Sequence, residues 1–289
     1  MHVRGAARDA ESLPAPARPS ASGRPGRCRE ALAHHREAEA LGHAGIALGR
    51  LGRFAEAIAH LCAVLDGFQP AGDERGAAMA HNNLGEIQRQ RGYHRDAVRH
   101  YEESGRVFGG VGEYRAILQN NIGNVHQCKG NYGEALRCHR EAIAVFRTTG
   151  DRRNAADVLN SLGVTYLLMG RPAEALVHHQ KAERSAQEIE DPYRRVRAVQ
   201  GIADAHLATG RAAVALEHYR QALVIARGIS DPYHEGKAHE GIAAALLQLR
   251  GPDAARIHWR QALDLFERLG VPEARAIAIR LQMMDGVSA

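Results

Sequence analysis

The sequence predicts an all-α solenoid of about six helical hairpins with a C-terminal capping helix. Three observations carry that expectation: one pattern recurs at a fixed period, apolar residues within each unit follow helical spacing, and a turn glycine falls at the same place in nearly every unit. Aligned on a Leu/Ile–Gly/Ala pair or its equivalent, the 289-residue chain repeats at Ala44-Gly45, Leu84-Gly85, Ile122-Gly123, Leu162-Gly163, Ile202-Ala203 and Ile242-Ala243. The steps are 40, 38, 40, 40 and 40 residues. A period in this range marks stacked hairpins, because a single hairpin cannot bury both of its faces and needs neighbours.

The fourth unit shows the pattern most clearly. Leu159, Leu162, Gly163 and Tyr166 stand at i, i+3, i+4 and i+7, which is one apolar stripe of a first helix. Gly52, Gly92, Gly130, Gly170 and Gly210 mark the reversals. The sixth unit has Arg250 at that place and shifts its turn to Gly251-Pro252. Five residues on, every unit has alanine: Ala57, Ala97, Ala135, Ala175, Ala215 and Ala255. Four further comes a larger residue, Leu61, Tyr101, His139, His179, Tyr219 or Trp259, and three beyond that Val64, Ser104, Ala142, Ala182, Ala222 or Ala262. Small residues at those places let two helices approach closely. Phe68, Phe108, Phe146 and Phe266 share one late position of the second helix and are expected to pack between consecutive units.

Junctions carry start signals. Asp151, Asp191 and Asp231 precede helices as N-caps do, and Asp-Pro-Tyr at 191–193 and 231–233 places proline to open the next helix. Gly109-Gly110-Val111-Gly112 is short and glycine-rich and is the expected local bend. Residues 1–28 are rich in Arg, Pro, Ala and Ser without apolar periodicity, and are expected to be a disordered tail. The array is expected over 29–285, with units starting near 38, 78, 116, 156, 196 and 236, one long helix over 29–50 and a capping helix over 273–284.

Composition excludes several classes. No apolar run is long enough for a transmembrane helix, and the start lacks the apolar core of a secretory signal. The formal charge is +5, but acids are interleaved with the basic residues, of which only Lys129, Lys181 and Lys237 are lysines. No basic block stands out, so direct nucleic-acid binding is not expected. Cys28, Cys62, Cys128 and Cys138 form no C-x-x-C pair and are expected to be reduced, in a cytoplasmic protein without membrane contact.

These positions resemble the tetratricopeptide repeat family. Its signature of a Leu-Gly pair, an aromatic three residues after the glycine, a turn glycine, then Ala, an aromatic and Ala is matched well at 156–189, and the other five units match with losses. The resemblance covers about 38 to 275. Tryptophan at the family's first signature position is absent: His81, Gln119, Leu159 and Val199 stand there. The period exceeds the family's usual repeat of about 34 residues and implies longer helices. The resemblance implies a right-handed superhelix with a concave groove lined by the first helix of each unit.

Catalytic chemistry is not indicated. His234-Glu235-Gly236-Lys237-Ala238-His239 misses the H-E-x-x-H zinc motif by one residue, and i, i+5 places the imidazoles about 140° apart on a helix. Of His178-His179, one is expected to pack between helices and the other to be solvated. No phosphate-cradling or nucleophile-elbow motif occurs. No catalytic residue, metal ligand or cofactor is expected.

The polar residues of the implied groove are more informative. Repeat position five reads Gly42, Asn82, Asn120, Asn160, Gln200 and Glu240, and position six includes Asn83 and Asn121. Position nine adds Glu86, Asn124 and Asp204, and Arg89 and Gln127 follow one turn later. Carboxamides offer donors and an acceptor, so a row of them suits the backbone of an extended peptide. Arg89, Gln127, Arg197 and Lys237 would add charge selectivity. Position five never carries lysine, so the family's Lys-Asn clamp for a C-terminal carboxylate is unmatched. The expected function is a non-enzymatic module that binds a peptide or partner protein in the groove. The 40-residue period, the Asp-Pro-Tyr junctions and the Arg/Ala bias also resemble the C-terminal repeat half of actinobacterial antibiotic-regulatory and signal-transducing ATPase regulators. That resemblance implies, as the alternative, a detached sensor acting through a separate DNA-binding partner.

Overall fold

A computed structural model describes residues 42, 44–49, 52–71, 74–108 and 112–286. The expected tail at 1–28, most of the expected helix 29–50 and residues 109–111 of the expected bend lie outside the described residues, as do the side chains of Phe68 and Phe108.

Helices pair in chain order. Helix α1 (44–49) and α2 (Phe54–Ala71) make the first hairpin, and α3 (Glu74–Gln90) and α4 (His94–Phe108) the second. Then follow α5 (Gly112–Cys128) with α6 (Tyr132–Thr149), and α7 (Arg152–Leu168) with α8 (Pro172–Glu188). The last pairs are α9 (Pro192–Ala208) with α10 (Ala212–Gly228) and α11 (Pro232–Arg250) with α12 (Pro252–Leu269), followed by α13 (Glu273–Gly286). No strand occurs among the described residues. This is the all-α solenoid that period and spacing predict.

Two layers result. Odd-numbered helices touch the next odd-numbered helix, α3 with α5 through to α9 with α11, while even-numbered helices pack on the odd ones to either side. The odd helices therefore crowd into an inner layer and the even ones form the outer layer. Alanine makes this possible: Ala57, Ala97, Ala135, Ala175, Ala215 and Ala255 are all fully buried. The larger residues four positions on, Leu61 through Trp259, are buried too and fill the space between helices. Phe146 and Phe266 are buried in the outer layer, with Ala186 and Ala226 taking the same place in α8 and α10. Each buried phenylalanine contributes about 1.5–3 kcal/mol.

Helix ends follow local chemistry. Asp151, Asp191 and Asp231 accept hydrogen bonds from the backbone N–H of Asn154, Arg194 and His234, each at 3.0 Å. Such caps contribute about 1 kcal/mol each. In α11, Arg250 replaces the turn glycine, and the helix runs two residues longer than α9, 19 against 17. Gly251, at φ 82° and ψ −173°, then reverses the chain, and Pro252 opens α12.

The far end is covered by α13. Val271, Ile277 and Leu281 close a cluster that contains Trp259, Phe266 and Leu269. Phe54 of the first hairpin packs on this same cluster, and the Gly52 backbone lies against the Leu269 carbonyl. The two ends of the array therefore touch.

Candidate functional site: the inner face

The candidate inner face comprises repeat positions two, five, six, nine and twelve of the odd helices, and position six packs on the preceding outer helix where it is glycine, Gly201 on His179 and Gly241 on Tyr219. Lateral hydrogen bonds tie one helix to the next. Asn121 Nδ2 on α5 donates to Asn82 Oδ1 on α3 at 2.8 Å, and Thr165 Oγ1 on α7 donates to Gln127 Oε1 on α5 at 2.9 Å. Asn83 and Asn124 are half-buried and make no side-chain hydrogen bond among the described residues.

Position five is used differently from unit to unit. Asn120 and Asn160 are only 7 % exposed, and each faces the outer helix of its own hairpin. Asn120 Oδ1 accepts from His139 Nδ1 at 2.9 Å, and Asn160 Oδ1 accepts from His179 Nδ1 at 3.0 Å. Gln200 Nε2 donates to the His234 carbonyl of the next hairpin at 2.8 Å. Glu240 accepts from Lys237 at 2.7 Å and from Arg280 at 3.4 Å. The sequence held a signal for the Asn–His pairs: position five precedes the large outer-helix residue by 19 positions in these units.

The same bonds fix the histidines. An amide oxygen only accepts, so Nδ1 carries the proton and Nε2 is a bare lone pair, which in both rings is buried without a partner. Burial pushes His139 down to about 4 and His179 down to about 3. The His179 ring lies between Gly163 and Gly201, where any β-carbon would collide with it. The adjacent His178 is half-buried and stacks on Tyr166 with ring centroids 5.2 Å apart. His234 bonds Asp231 at 3.0 Å, and His239 pairs with His258 at 2.9 Å, so the two histidines of the 234–239 run serve different partners. Among the described residues, no three His, Cys, Asp or Glu side chains are grouped to hold a metal ion.

Charges on the inner face are mostly paired. Glu86 accepts from Arg89 at 2.5 and 2.9 Å, from Gln90 at 3.0 Å and from the Tyr101 hydroxyl at 3.3 Å. Burial would raise the Glu86 carboxyl, but Arg89 outweighs it and holds it below the usual range. Asp157 on α7 takes Arg194 at 2.6 Å and Arg197 at 2.8 Å, both from α9. Tyr219 donates to Asp204 Oδ1 at 2.5 Å. Where the array's ends meet, the inner face encloses a cavity of about 340 Å³. Glu86 and Arg89 line it from α3, Tyr193 and Arg197 from α9, Tyr233 from α11 and Glu273 from α13. Tyr233 donates to Glu273 at 2.6 Å.

Paired helices stacked in two layers around a polar inner face define a helical-repeat scaffold. The chain belongs to the tetratricopeptide repeat family, whose profile matches residues 36–107, 114–188 and 195–279. No curated protein matches the sequence. Among solved structures, the chain is similar to a Rap protein complexed with competence and sporulation factor: 15 % identity over 86 % of this chain and 75 % of that one, TM-score 0.65. It is similar to NprR in complex with its cognate peptide NprX: 16 % identity, 90 % and 77 % coverage, TM-score 0.63. It is also similar to a signal-transduction ATPase with a tetratricopeptide repeat sensor from Pyrococcus horikoshii: 15 % identity over 74 % of this chain and 32 % of that one, TM-score 0.60. At these identities the likeness is one of fold.

Proposed function

We propose that this chain is a non-enzymatic interaction module whose inner face binds an extended segment of a peptide or partner protein. The observation that carries this reading is the set of amides left over on that face. Asn83 and Asn124 have no hydrogen-bond partner among the described residues, and beside them Asn121 and Gln127 are held in place by Asn82 and Thr165. Amides oriented in this way match the alternating donors and acceptors of a peptide backbone. Glu86 and Arg89 would contact the segment next to the cavity. Asn120, Asn160, Gln200 and Glu240 would act from behind, by fixing the helices that present the others. The Rap and NprR structures, which share the fold, are complexes with a factor and a peptide.

A regulatory role is the narrower reading, favoured by the likeness to the repeat sensor of a signal-transduction ATPase. There the chain would act as a detached sensor through a separate DNA-binding partner.

The test is a double variant, Asn83→Ala with Asn124→Ala, which removes the two unbonded amides and leaves the Asn121–Asn82 tie in place. Capture of a partner from source lysate should fall at least tenfold while helicity and melting temperature stay at wild-type values. Undiminished capture would sink the reading.

A further inference from the structure

Four acids stand at positions two, five and nine of the inner face: Glu86, Asp157, Asp204 and Glu240. Three have cations. Glu86 pairs with Arg89, Asp157 with Arg194 and Arg197, and Glu240 with Lys237 and Arg280. Asp204 on α9 has no cation within ion-pair distance among the described residues. Lys237 acts on it through space, and that ammonium is already held by Glu240 at 2.7 Å.

Asp204 is nevertheless held in one orientation. Its Oδ1 accepts from the Tyr219 hydroxyl at 2.5 Å. The Tyr219 ring is buried and occupies the space that a side chain at Gly241 would need. The carboxylate is thus fixed through one oxygen, while Oδ2 has no protein partner among the described residues and the residue is exposed. The surrounding protein withdraws water from this carboxyl and pushes it above the usual range, with the Tyr219 bond opposing. A positioned, unpaired and partly desolvated carboxylate is poised for a charge-assisted hydrogen bond.

Leucines flank it further along the helix, on the side away from Lys237 and Glu240 at the next helix's start. Leu207 stands one turn further along the same face of α9, and its equivalents are Leu167 on α7 and Leu247 on α11. Leu247 is 42 % exposed, and Leu168 beside the row is 50 % exposed. An acid next to a leucine row, with Leu167 and Leu207 half-buried against the core and Leu247 exposed, is complementary to a cation joined to an apolar side chain.

We propose that Asp204 anchors a cationic group of the bound segment, an ammonium or a guanidinium, with an adjacent apolar side chain on the Leu167–Leu207–Leu247 row. This deepens the peptide-binding reading and rests on it. An oxygen of Asp204 takes N–H bonds from the cation, while Tyr219 keeps the carboxylate aimed. The cation is either a basic side chain or a free peptide amino terminus.

Two random decapeptide libraries, one N-acetylated and one with free amino termini, are captured on the immobilised full-length chain and sequenced by mass spectrometry. If the cation is a side chain, Lys and Arg are enriched next to an apolar residue in both pools. If it is the terminus, only the free-amine library is retained. In either case Asp204→Asn removes the preference and weakens the best captured peptide about tenfold. The variant keeps an oxygen for Tyr219, so its melting curve should match the wild type. Peptides captured without preference for a cation, or with one that survives Asp204→Asn, overturn the proposal and leave groove binding intact. Capture of no peptide from either library overturns the peptide-binding reading and this inference with it.

Discussion

His179 shows how one side chain is asked to do two things in this array. Its ring fills the narrow space between hairpins four and five, and its Nδ1–H is bonded by Asn160. Both require the neutral form, since a second proton on Nε2 would have no acceptor. His139 with Asn120 repeats the arrangement one unit earlier. The folded pKa values of about 4 and about 3 lie below the ordinary histidine value of about 6.5. Between those limits the unfolded chain binds protons that the folded chain excludes. Stability is therefore fully present above about pH 6.5 and is lost as pH falls toward 4, at about 1.4 kcal/mol per pH unit for each such histidine. Urea midpoints measured from pH 7 to pH 4.5 should fall, and a His139→Gln/His179→Gln variant should have a flatter profile. A wild-type midpoint that does not change across that range would contradict the neutral-ring assignment.

At the scale of the element, the hairpin was almost fully legible in the sequence. Period, turn position and the alternation of small and large residues all follow from steric needs that leave a local trace. Asp151, Asp191 and Asp231 could be read as caps because capping is decided within four residues. The use of position five was legible only when each Asn is read together with the residue 19 places on, since Asn120 and Asn160 have histidine there and Asn82 has Tyr101. Asn120 and Asn160 look like Asn82 in the sequence, yet the first two face histidines and the third faces Asn121. Gly163 separates the steric from the conformational use of glycine. It sits mid-helix, and a β-carbon there would lie 2.6 Å from the His179 ring. Gly130, at φ 77°, has open space around it. Gly163→Ala should therefore lose about 1–3 kcal/mol through overpacking, and Gly130→Ala about 1–2 kcal/mol through backbone strain alone. Combining Gly163→Ala with His179→Ala makes room for the new methyl group and should remove the overpacking component. Chemical denaturation of the four proteins forms a double-mutant cycle, and strict additivity would rule out the ring contact as the cause.

Across the whole molecule, stacked repeats normally behave as a chain of nearest neighbours, each hairpin stabilised by those beside it. This array departs from that rule where its described ends meet. Phe54 packs with Ala57, Leu61 and Leu84 in the first hairpins and also against the cluster of Leu269 and Val271 at the far end. Nothing local in the sequence encodes that contact, since it results from rotation accumulated over six hairpins. It links two ends that are more than 200 residues apart and closes the inner face around the 340 Å³ cavity. If the contact bears energy, a change at the first hairpin must be felt in the last. Phe54→Ala should cost about 3–5 kcal/mol as a truncation of a buried ring, less in proportion to the partial exposure of this one. The decisive quantity is where the loss falls. Native-state hydrogen exchange should show faster opening in α12 and α13 as well as in α2, with α7 and α8 in the middle of the array unchanged. Leu65→Ala, which removes packing from the same first-hairpin cluster without reaching the far end, should speed exchange in α2 while leaving α13 as in the wild type. Wild-type exchange in α13 of the Phe54→Ala variant would show that the ends touch without stabilising one another.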